Sequence, residues 1–139
     1  MNRVFVDTAG LIAIGDKGDI FHSQAIQIRE KLRTSWTNFI TTSAVIIELA
    51  GYFSKSHQKN SAIVLIETIN RSKKWTCISI DKPLIQRGFE RYKQMSDKDW
   101  SLVDCIGMII ATDNDITEIF TADHHFEQAG FSILLREAR

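Results

Sequence analysis

Short apolar, strand-like runs alternate with helical segments along the whole chain. Residues 4–6 form one such run, and residues 21–33 carry apolar side chains at helical spacing. Alternation of this kind is typical of parallel sheets, because parallel strands need a long crossover connection, usually a helix. Helices then cover both faces of the sheet. The sequence therefore predicts an α/β fold in three layers, a central, mostly parallel sheet flanked by helices.

The predicted elements follow one another without a linker-like or repeated segment. Five strands are predicted, at residues 4–6, 38–41, 75–80, 118–121 and 131–135. Six helices are predicted, at residues 9–14, 21–33, 43–56 and 61–72, from 83 onwards, and at 101–111. Pro83 suits the first turn of its helix. The pattern predicts a single domain over residues 1–139.

Composition places the chain among ordinary globular domains. It has 139 residues, of which 44% are hydrophobic and 24% charged. The longest apolar stretches fall far short of the roughly 20 residues that a membrane span needs. The first residues, MNRVFVD, lack the basic-then-apolar layout of a signal peptide. We therefore expect a cytoplasmic protein with no membrane partner.

The cysteines and histidines do not form a recognisable ligand set. Cys77 and Cys105 lie on separate predicted elements, so we expect two reduced thiols in the core. The neighbouring His124 and His125 should point in different directions, and we expect them to belong to a turn. No spacing is typical of a zinc site.

The formal net charge is zero, with 17 basic and 17 acidic residues, which argues against a strongly nucleic-acid-binding surface. Basic residues nevertheless group along the chain, at residues 29–33, 55–59 and 71–74. Each group is either a solvated helix face or, if acids cluster elsewhere, part of a surface that binds a phosphate backbone.

Two acidic residues directly follow predicted strands. Asp7 comes after the run at 4–6, and Asp123 comes after the run at 118–121. Either residue can be an ordinary turn or helix-capping residue. In open α/β sheets, however, ligands bind beyond the carboxyl ends of the strands. Both positions are therefore candidates for a functional site.

Two further acids lie on predicted apolar helices. Glu48 has mostly apolar neighbours at helical spacing and does not complete a capping box. Asp104 fits a capping box with Ser101, yet it also shares a stripe of small or polar residues with Gly107 and Ala111. Such a stripe leaves room for a nearby chain or ligand.

The four carboxylates are more informative together than singly. In an α/β sheet all four can meet at one edge, where like charges raise one another's pKa. A hard divalent cation relieves that repulsion, and Mg²⁺ prefers oxygen ligands and often bridges to phosphate. The set therefore predicts a site for Mg²⁺ or Mn²⁺ and phosphoryl chemistry.

Four segments, in this order, carry a family resemblance over essentially the whole chain: VFVDTAGLIAI, TTSAVIIELAG, WSLVDCIGMIIA and FTADHHFEQAGF. The sequence resembles the PIN-domain ribonucleases, in particular the VapC-type toxins of bacterial toxin–antitoxin pairs. The resemblance implies a PIN-like fold, metal-dependent RNA cleavage that leaves 5′-phosphate and 3′-hydroxyl ends, a homodimer and a cognate antitoxin.

The resemblance also assigns roles to individual residues. The acidic quartet would be Asp7, Glu48, Asp104 and Asp123, as metal-binding and catalytic residues. Thr8, Ser101 and Thr121 match accompanying hydroxyl positions that would orient carboxylates or water. Asp97 and Asp99 are additional acids close enough in sequence to reach the metal. The helices between residues 43 and 72 are a hypothesis for the dimer surface.

Three other functions remain open at this point. A PIN-like module can bind RNA or protein without cutting, and a PIN ribonuclease can mature RNA without an antitoxin. A flavodoxin-like receiver is a third possibility. A receiver requires a pair of adjacent acids after the first strand and a lysine after one of the last strands. Here Asp7 is followed by Thr8, and the last strand by Arg136.

Overall fold

The computed structural model describes residues 2–137 and contains a five-stranded sheet in which all neighbouring strands are parallel. Its strands are β1 (Arg3–Val6), β2 (Asn38–Thr42), β3 (Trp75–Ile78), β4 (Glu118–Phe120) and β5 (Ser132–Ile133). Their order in the sheet is β3-β2-β1-β4-β5. The sheet is therefore all parallel, where the sequence predicted a mostly parallel one.

Helices connect the strands. Within residues 2–137 they are α1 (Thr8–Gly15), α2 (His22–Thr34), α3 (Ser43–Tyr52), α4 (Lys59–Arg71), α5 (Lys82–Gln94), α6 (Leu102–Asp113) and α7 (His124–Gln128). Local caps explain two of the starts, because the Thr42 side chain accepts from the backbone N–H of Val45 and the Asp81 side chain from that of Leu84.

Successive side chains of the strands point alternately into two separate hydrophobic cores. Val4 and Val6 of β1 point into a core shared with α1, α2, α3 and α4. Phe5 points the other way, into a core with α5, α6 and α7. This period of two follows from strand geometry, and it makes the sheet the middle of three layers. The predicted three-layer α/β architecture is confirmed.

Several element boundaries differ from those predicted. β3 ends at Ile78 and β5 covers only two residues, because the chain leaves the sheet before the apolar run ends. The helix α7 lies where a turn was expected. Five residues are too few to show a helical period in the sequence.

The exposure of Cys77 contradicts its predicted place in the core. β3 is an edge strand, and its central residues Thr76 and Cys77 are exposed. Cys105 on α6 is buried, as expected. Among the described residues, no helix is long and apolar enough to cross a membrane.

The strand order sets up a crevice next to β1. The chain passes from β1 to β2 on one side, and later crosses over to place β4 on the other side. Sites in open α/β sheets form where the order reverses in this way, beyond the carboxyl ends of the strands. Asp7 follows β1 and Asp123 follows β4, so both lie at this crevice.

Glycines allow helices to lie close to the strands around the crevice. A Cβ on Gly10 would lie 2.1 Å from the carbonyl oxygen of Phe120, so α1 approaches β4 only because position 10 lacks a side chain. A Cβ on Gly107 would lie 3.0 Å from the ring of Phe5. The small-residue stripe on α6 therefore accommodates the sheet, and it leads to Asp104 at the crevice.

Candidate active site

Asp7 and Asp123 are joined by one buried hydroxyl group. The Thr121 Oγ1 donates a hydrogen bond to Asp7 Oδ2 at 3.0 Å and accepts one from the backbone N–H of Asp123 at 3.1 Å. Thr121 is completely buried. Although Asp7 is the N-cap residue of α1, its side chain makes no capping hydrogen bond. Its carboxylate is therefore left to face the crevice.

Asp104 is a capping residue and a crevice residue at once. Its backbone N–H donates to Ser101 Oγ, and the Ser101 backbone N–H donates to Asp104 Oδ2, both at 3.0 Å. The predicted capping box is thus present. The side chain also contacts His125, whose Nδ1 lies 2.9 Å from Asp104 Oδ2. Capping and a place in the crevice do not exclude each other.

Glu48 is exposed, so its apolar neighbours at helical spacing do not bury it. The buried side of α3 carries Val45 and Leu49, whereas Glu48 faces the open crevice. There it accepts a short hydrogen bond from the Thr8 hydroxyl. The Thr8 hydroxyl thus contacts one oxygen of Glu48, and its orienting role stays a prediction.

All four predicted acids line one open cavity of about 550 Å³, which we call the acidic cavity. Thr8, Ser101 and the predicted additional acid Asp99 also line it, whereas Asp97 does not. Thr121 lies beneath it, through its bond to Asp7. In the described part of the chain, the wall is completed by Ala9, Ile12, Tyr52 and His125, and it contains no lysine or arginine.

The Asp7 carboxyl is strongly perturbed. Its pKa is raised from 3.8 to about 7, first because the group is buried, and then because of the charges of Asp104 and, to a smaller extent, Asp123. Hydrogen bonds from the Thr121 hydroxyl and the Thr8 backbone N–H oppose it. Asp7 is only 4% exposed. A proton or a cation is thus needed to stabilise this group at neutral pH.

His125 is a site residue that the sequence reasoning missed. Its Nδ1 lies 2.9 Å from Asp104 Oδ2 and 3.3 Å from Asp123 Oδ1. Burial lowers its pKa, but the hydrogen bond with Asp104 and the charges of Asp123, Asp104 and Asp99 outweigh burial, and the net shift is upward. His124 points away and pairs with Glu127, so the two rings do diverge as predicted.

His125 can be identified as a site residue only once the helix α7 is known. The Asp123 side chain caps that helix by accepting from the backbone N–H of His125 at 2.9 Å. A cap of this kind fixes the residue two positions later beside the capping carboxylate.

The donor set suits a hard divalent cation. One ligand atom each from Asp104, Asp123 and His125 lie within 4.8 Å of one another, and the buried Asp7 carboxylate stands beside them without a lysine or arginine in the cavity wall. Carboxylate oxygens are the ligands that Mg²⁺ and Mn²⁺ prefer, and imidazole is compatible with a transition metal. These residues therefore fit such an ion.

Comparison with solved structures identifies the fold. VapC20 from Mycobacterium tuberculosis, described as a sarcin–ricin loop cleaving toxin, superposes with a TM-score of 0.79 at 22% identity, over 92% of this chain and 95% of that one. The fold is PIN-like. The predicted resemblance to VapC-type PIN-domain proteins is thereby confirmed at the level of the fold.

A second solved structure shares this fold. FitAcB from Neisseria gonorrhoeae matches with a TM-score of 0.61 at 13% identity, over 94% of this chain and 95% of that one. No protein-family model matches the chain, and no curated protein does.

Two of the three basic groups noted in the sequence contribute residues to a different cavity. Arg29, Arg33 and Lys74 line a separate cavity of about 360 Å³, which shares no residue with the acidic one. Arg33 precedes β2 and Lys74 precedes β3, so these two lie towards the amino ends of the strands. A role for these groups in RNA binding stays a prediction.

Proposed function

We propose that the protein is a Mg²⁺- or Mn²⁺-dependent endoribonuclease that hydrolyses RNA phosphodiester bonds, and that it is the toxin of a toxin–antitoxin pair. One observation carries the proposal. Four carboxylates from four separate parts of the chain line the same open cavity, and no lysine or arginine of the described residues lines it with them. Buried carboxylates in such a group cost stability, so their convergence needs a functional reason.

The likeness to VapC20 supports the choice of RNA as the substrate. The cavity of this chain lies beyond the carboxyl ends of β1 and β4, where sites form in parallel α/β sheets. The open shape of the cavity suits a polymer strand, which must enter and leave at both sides.

Asp7, Asp104 and Asp123 are the residues we assign to hold the cation, with Glu48 as a ligand of a second one or as the group that orients water. When bound, the cation supplies positive charge that acidifies water and stabilises the negative charge developing on the phosphodiester.

The remaining side chains fix these carboxylates in place. The Thr121 hydroxyl holds Asp7 and the backbone at Asp123. Ser101 and His125 both contact Asp104 Oδ2. The Thr8 hydroxyl donates to one carboxylate oxygen of Glu48, and both residues line the cavity. In metal sites, groups that orient the ligands in this way raise both the affinity for the metal and the catalytic rate.

The experiment is an RNA cleavage assay with end mapping. The purified protein is incubated with single-stranded RNA in Mg²⁺, in Mn²⁺ and in EDTA. We expect cleavage with either metal, 5′-phosphate and 3′-hydroxyl products, and none in EDTA. Full activity in EDTA, or no cleavage by a folded protein with either metal, would contradict the proposal.

The toxin role and the partners need a separate test. We expect expression of the chain to arrest growth, and co-expression of a small neighbouring reading frame, the cognate antitoxin, to relieve the arrest. The purified chain should be a homodimer by light scattering. Cleavage without growth arrest would instead favour a ribonuclease of RNA maturation.

A further inference from the structure

A second, larger depression adjoins the acidic cavity, and its walls are aromatic and basic. This aromatic groove has a volume of about 910 Å³ and is formed by Phe89, Tyr92, Lys93, Lys98 and Trp100. Asp99 and Ser101 line both it and the acidic cavity. The two depressions are therefore neighbours that share a wall.

Two aromatic rings form an exposed platform in this groove. Phe89 and Tyr92 lie three residues apart on α5 and hence on the same face of the helix. They are 47% and 46% exposed. Their ring planes are within 19° of each other, and the ring centroids are 6.3 Å apart. Large ring surfaces at such positions are available for stacking with a flat ligand.

Trp100 gives the groove a fixed wall. It is 4% exposed, and its indole N–H donates to Gln128 Oε1 at 2.9 Å. The Arg91 guanidinium lies over the ring, 5.3 Å from its centroid. Because Trp100 is buried and hydrogen-bonded, the wall next to Asp99 and Ser101 is preorganised.

The groove also supplies positive charge that the acidic cavity lacks. Lys93 and Lys98 are exposed at its edge. Lys93 Nζ lies 5.1 Å from the Phe89 ring centroid and 2.9 Å from Glu90 Oε1. Lys98 Nζ lies 3.8 Å from Asp97 Oδ2, so each lysine has an acidic neighbour. The acidic cavity has no lysine or arginine in its described wall, whereas the groove beside it has these two, which a phosphate can contact.

We propose that the aromatic groove binds an unstacked nucleobase of single-stranded RNA, next to the phosphodiester held at the acidic cavity. Phe89 and Tyr92 stack on the base, and Lys93 and Lys98 contact the adjoining phosphates. This inference rests on the proposed nuclease function. Aromatic platforms beside basic side chains are a general means of holding single strands, and they tolerate any base because every base has a flat face.

Two features favour RNA over a second copy of the chain as the occupant. Lysine is depleted in protein–protein interfaces, whereas two lysines line this groove. The groove also shares Asp99 and Ser101 with the cavity that we assign to the phosphodiester. A double helix would not fit the site in the same way, because its bases are already stacked on one another.

The test compares ring-removing variants with a matched control. Phe89→Leu, Tyr92→Leu and the double variant keep apolar surface and helix propensity but remove the π faces. Tyr92→Phe keeps the ring. Trp36→Leu is the matched control, because Trp36 is an exposed ring with a lysine 5.1 Å from its centroid, and it lies just before β2 at the opposite edge of the sheet.

Each variant is measured for RNA binding, for RNA cleavage and, by light scattering, for self-association. Binding of a fluorescent single-stranded RNA of about 12 nucleotides, and of its duplex, is followed by anisotropy in the Asp7→Asn background, where the RNA stays intact. Cleavage is followed in the active background. The double leucine variant should bind single-stranded RNA about 5- to 100-fold more weakly and show a higher KM at similar kcat. Duplex binding, Tyr92→Phe and Trp36→Leu should change less than about twofold.

Three results would overturn the inference. The first is that the parent protein cleaves RNA, but the double leucine variant binds RNA as tightly as Trp36→Leu does. The second is retained RNA affinity with loss of self-association, which makes the groove a protein interface. The third is failure of the parent protein to bind or cleave any RNA. That result defeats the proposed function first and this inference with it.

Discussion

Carboxylates at the amino and carboxyl edges of the sheet have opposite electrostatic environments. Asp113 ends α6 on the amino side of the strands and makes a bidentate ion pair with Arg87, at 2.7 and 3.0 Å, which holds its pKa below the usual range. Asp7, at the carboxyl edge, is buried and its pKa is raised to about 7. The same fold therefore supplies an arginine where a carboxylate is structural and leaves the charge unbalanced at the crevice. This difference supports the cation site that we propose at the carboxyl edge.

The largest effect should come from removing a crevice carboxylate. Asp7→Asn and Asp104→Asn keep the shape of the side chain but should lower RNA cleavage at least about 1000-fold, because several kcal/mol of charge stabilisation depend on the bound cation. Asp113→Asn is the control at the other edge and should retain activity within about twofold. The measurement is cleavage of single-stranded RNA by variants shown to be folded by circular dichroism. Equal losses of cleavage activity in all three variants would contradict the difference between the two edges.

The pH dependence of stability should also separate the two edges. In metal-free protein, folded Asp7 keeps its proton up to about pH 7, whereas the unfolded chain loses it near pH 4. The folded state thus binds more protons over this range, so the free energy of unfolding should fall as pH rises from about 4 to 7, by as much as about 4 kcal/mol.

Asp7→Asn should abolish this fall and be more stable than the parent at pH 8. Denaturant titrations at several pH values in EDTA provide the measurement. Asp113 should act in the opposite direction, because its lowered pKa gives stability that is lost as pH falls. If Asp7→Asn keeps the slope of the parent protein, another group is responsible.

Two buried threonines allow a test of the hydroxyl beneath the site. Thr121→Val removes the donor to Asp7 and the acceptor of the Asp123 N–H, and should lower activity about 10- to 100-fold. Thr41→Val removes a bond of similar burial, from Thr41 Oγ1 to the Val6 carbonyl at 2.8 Å. It should cost about 1 kcal/mol of stability with little loss of activity. Comparable rates for the two variants would show that the Thr121 hydroxyl is only structural.

The smallest effect concerns the two histidines. His125→Gln weakens the contacts to Asp104 and Asp123, and should lower activity and metal affinity about tenfold. His124→Gln affects only an exposed pair with Glu127 and should change neither. Cleavage rates and metal titrations of both variants test this. A larger loss at position 124 would count against the placement of α7.

The sequence predicts the parts of the site that depend on local chemistry. Asp7 and Asp123 follow apolar runs, and Ser101 with Asp104 forms a capping box, so their positions can be inferred from neighbouring residues. Their convergence depends on the strand order β3-β2-β1-β4-β5, which no local pattern determines.

Other parts of the site depend on packing between distant segments. The exposure of Glu48 results from α3 packing through Val45 and Leu49, which turns its other side towards the crevice. His125 was missed because α7 is too short to show a period. The aromatic groove brings α5 together with the segment that leads to α6, and neither carries a recognisable motif.

A direct titration with Mn²⁺ tests the central claim without any RNA. Free Mn²⁺ is followed by electron paramagnetic resonance as the parent protein, Asp104→Asn and Asp113→Asn are added. The account predicts that the parent protein and Asp113→Asn take up one or two ions alike, and that Asp104→Asn binds at least about tenfold more weakly. No uptake by the folded parent protein at millimolar Mn²⁺, or equal uptake by Asp104→Asn, would contradict it.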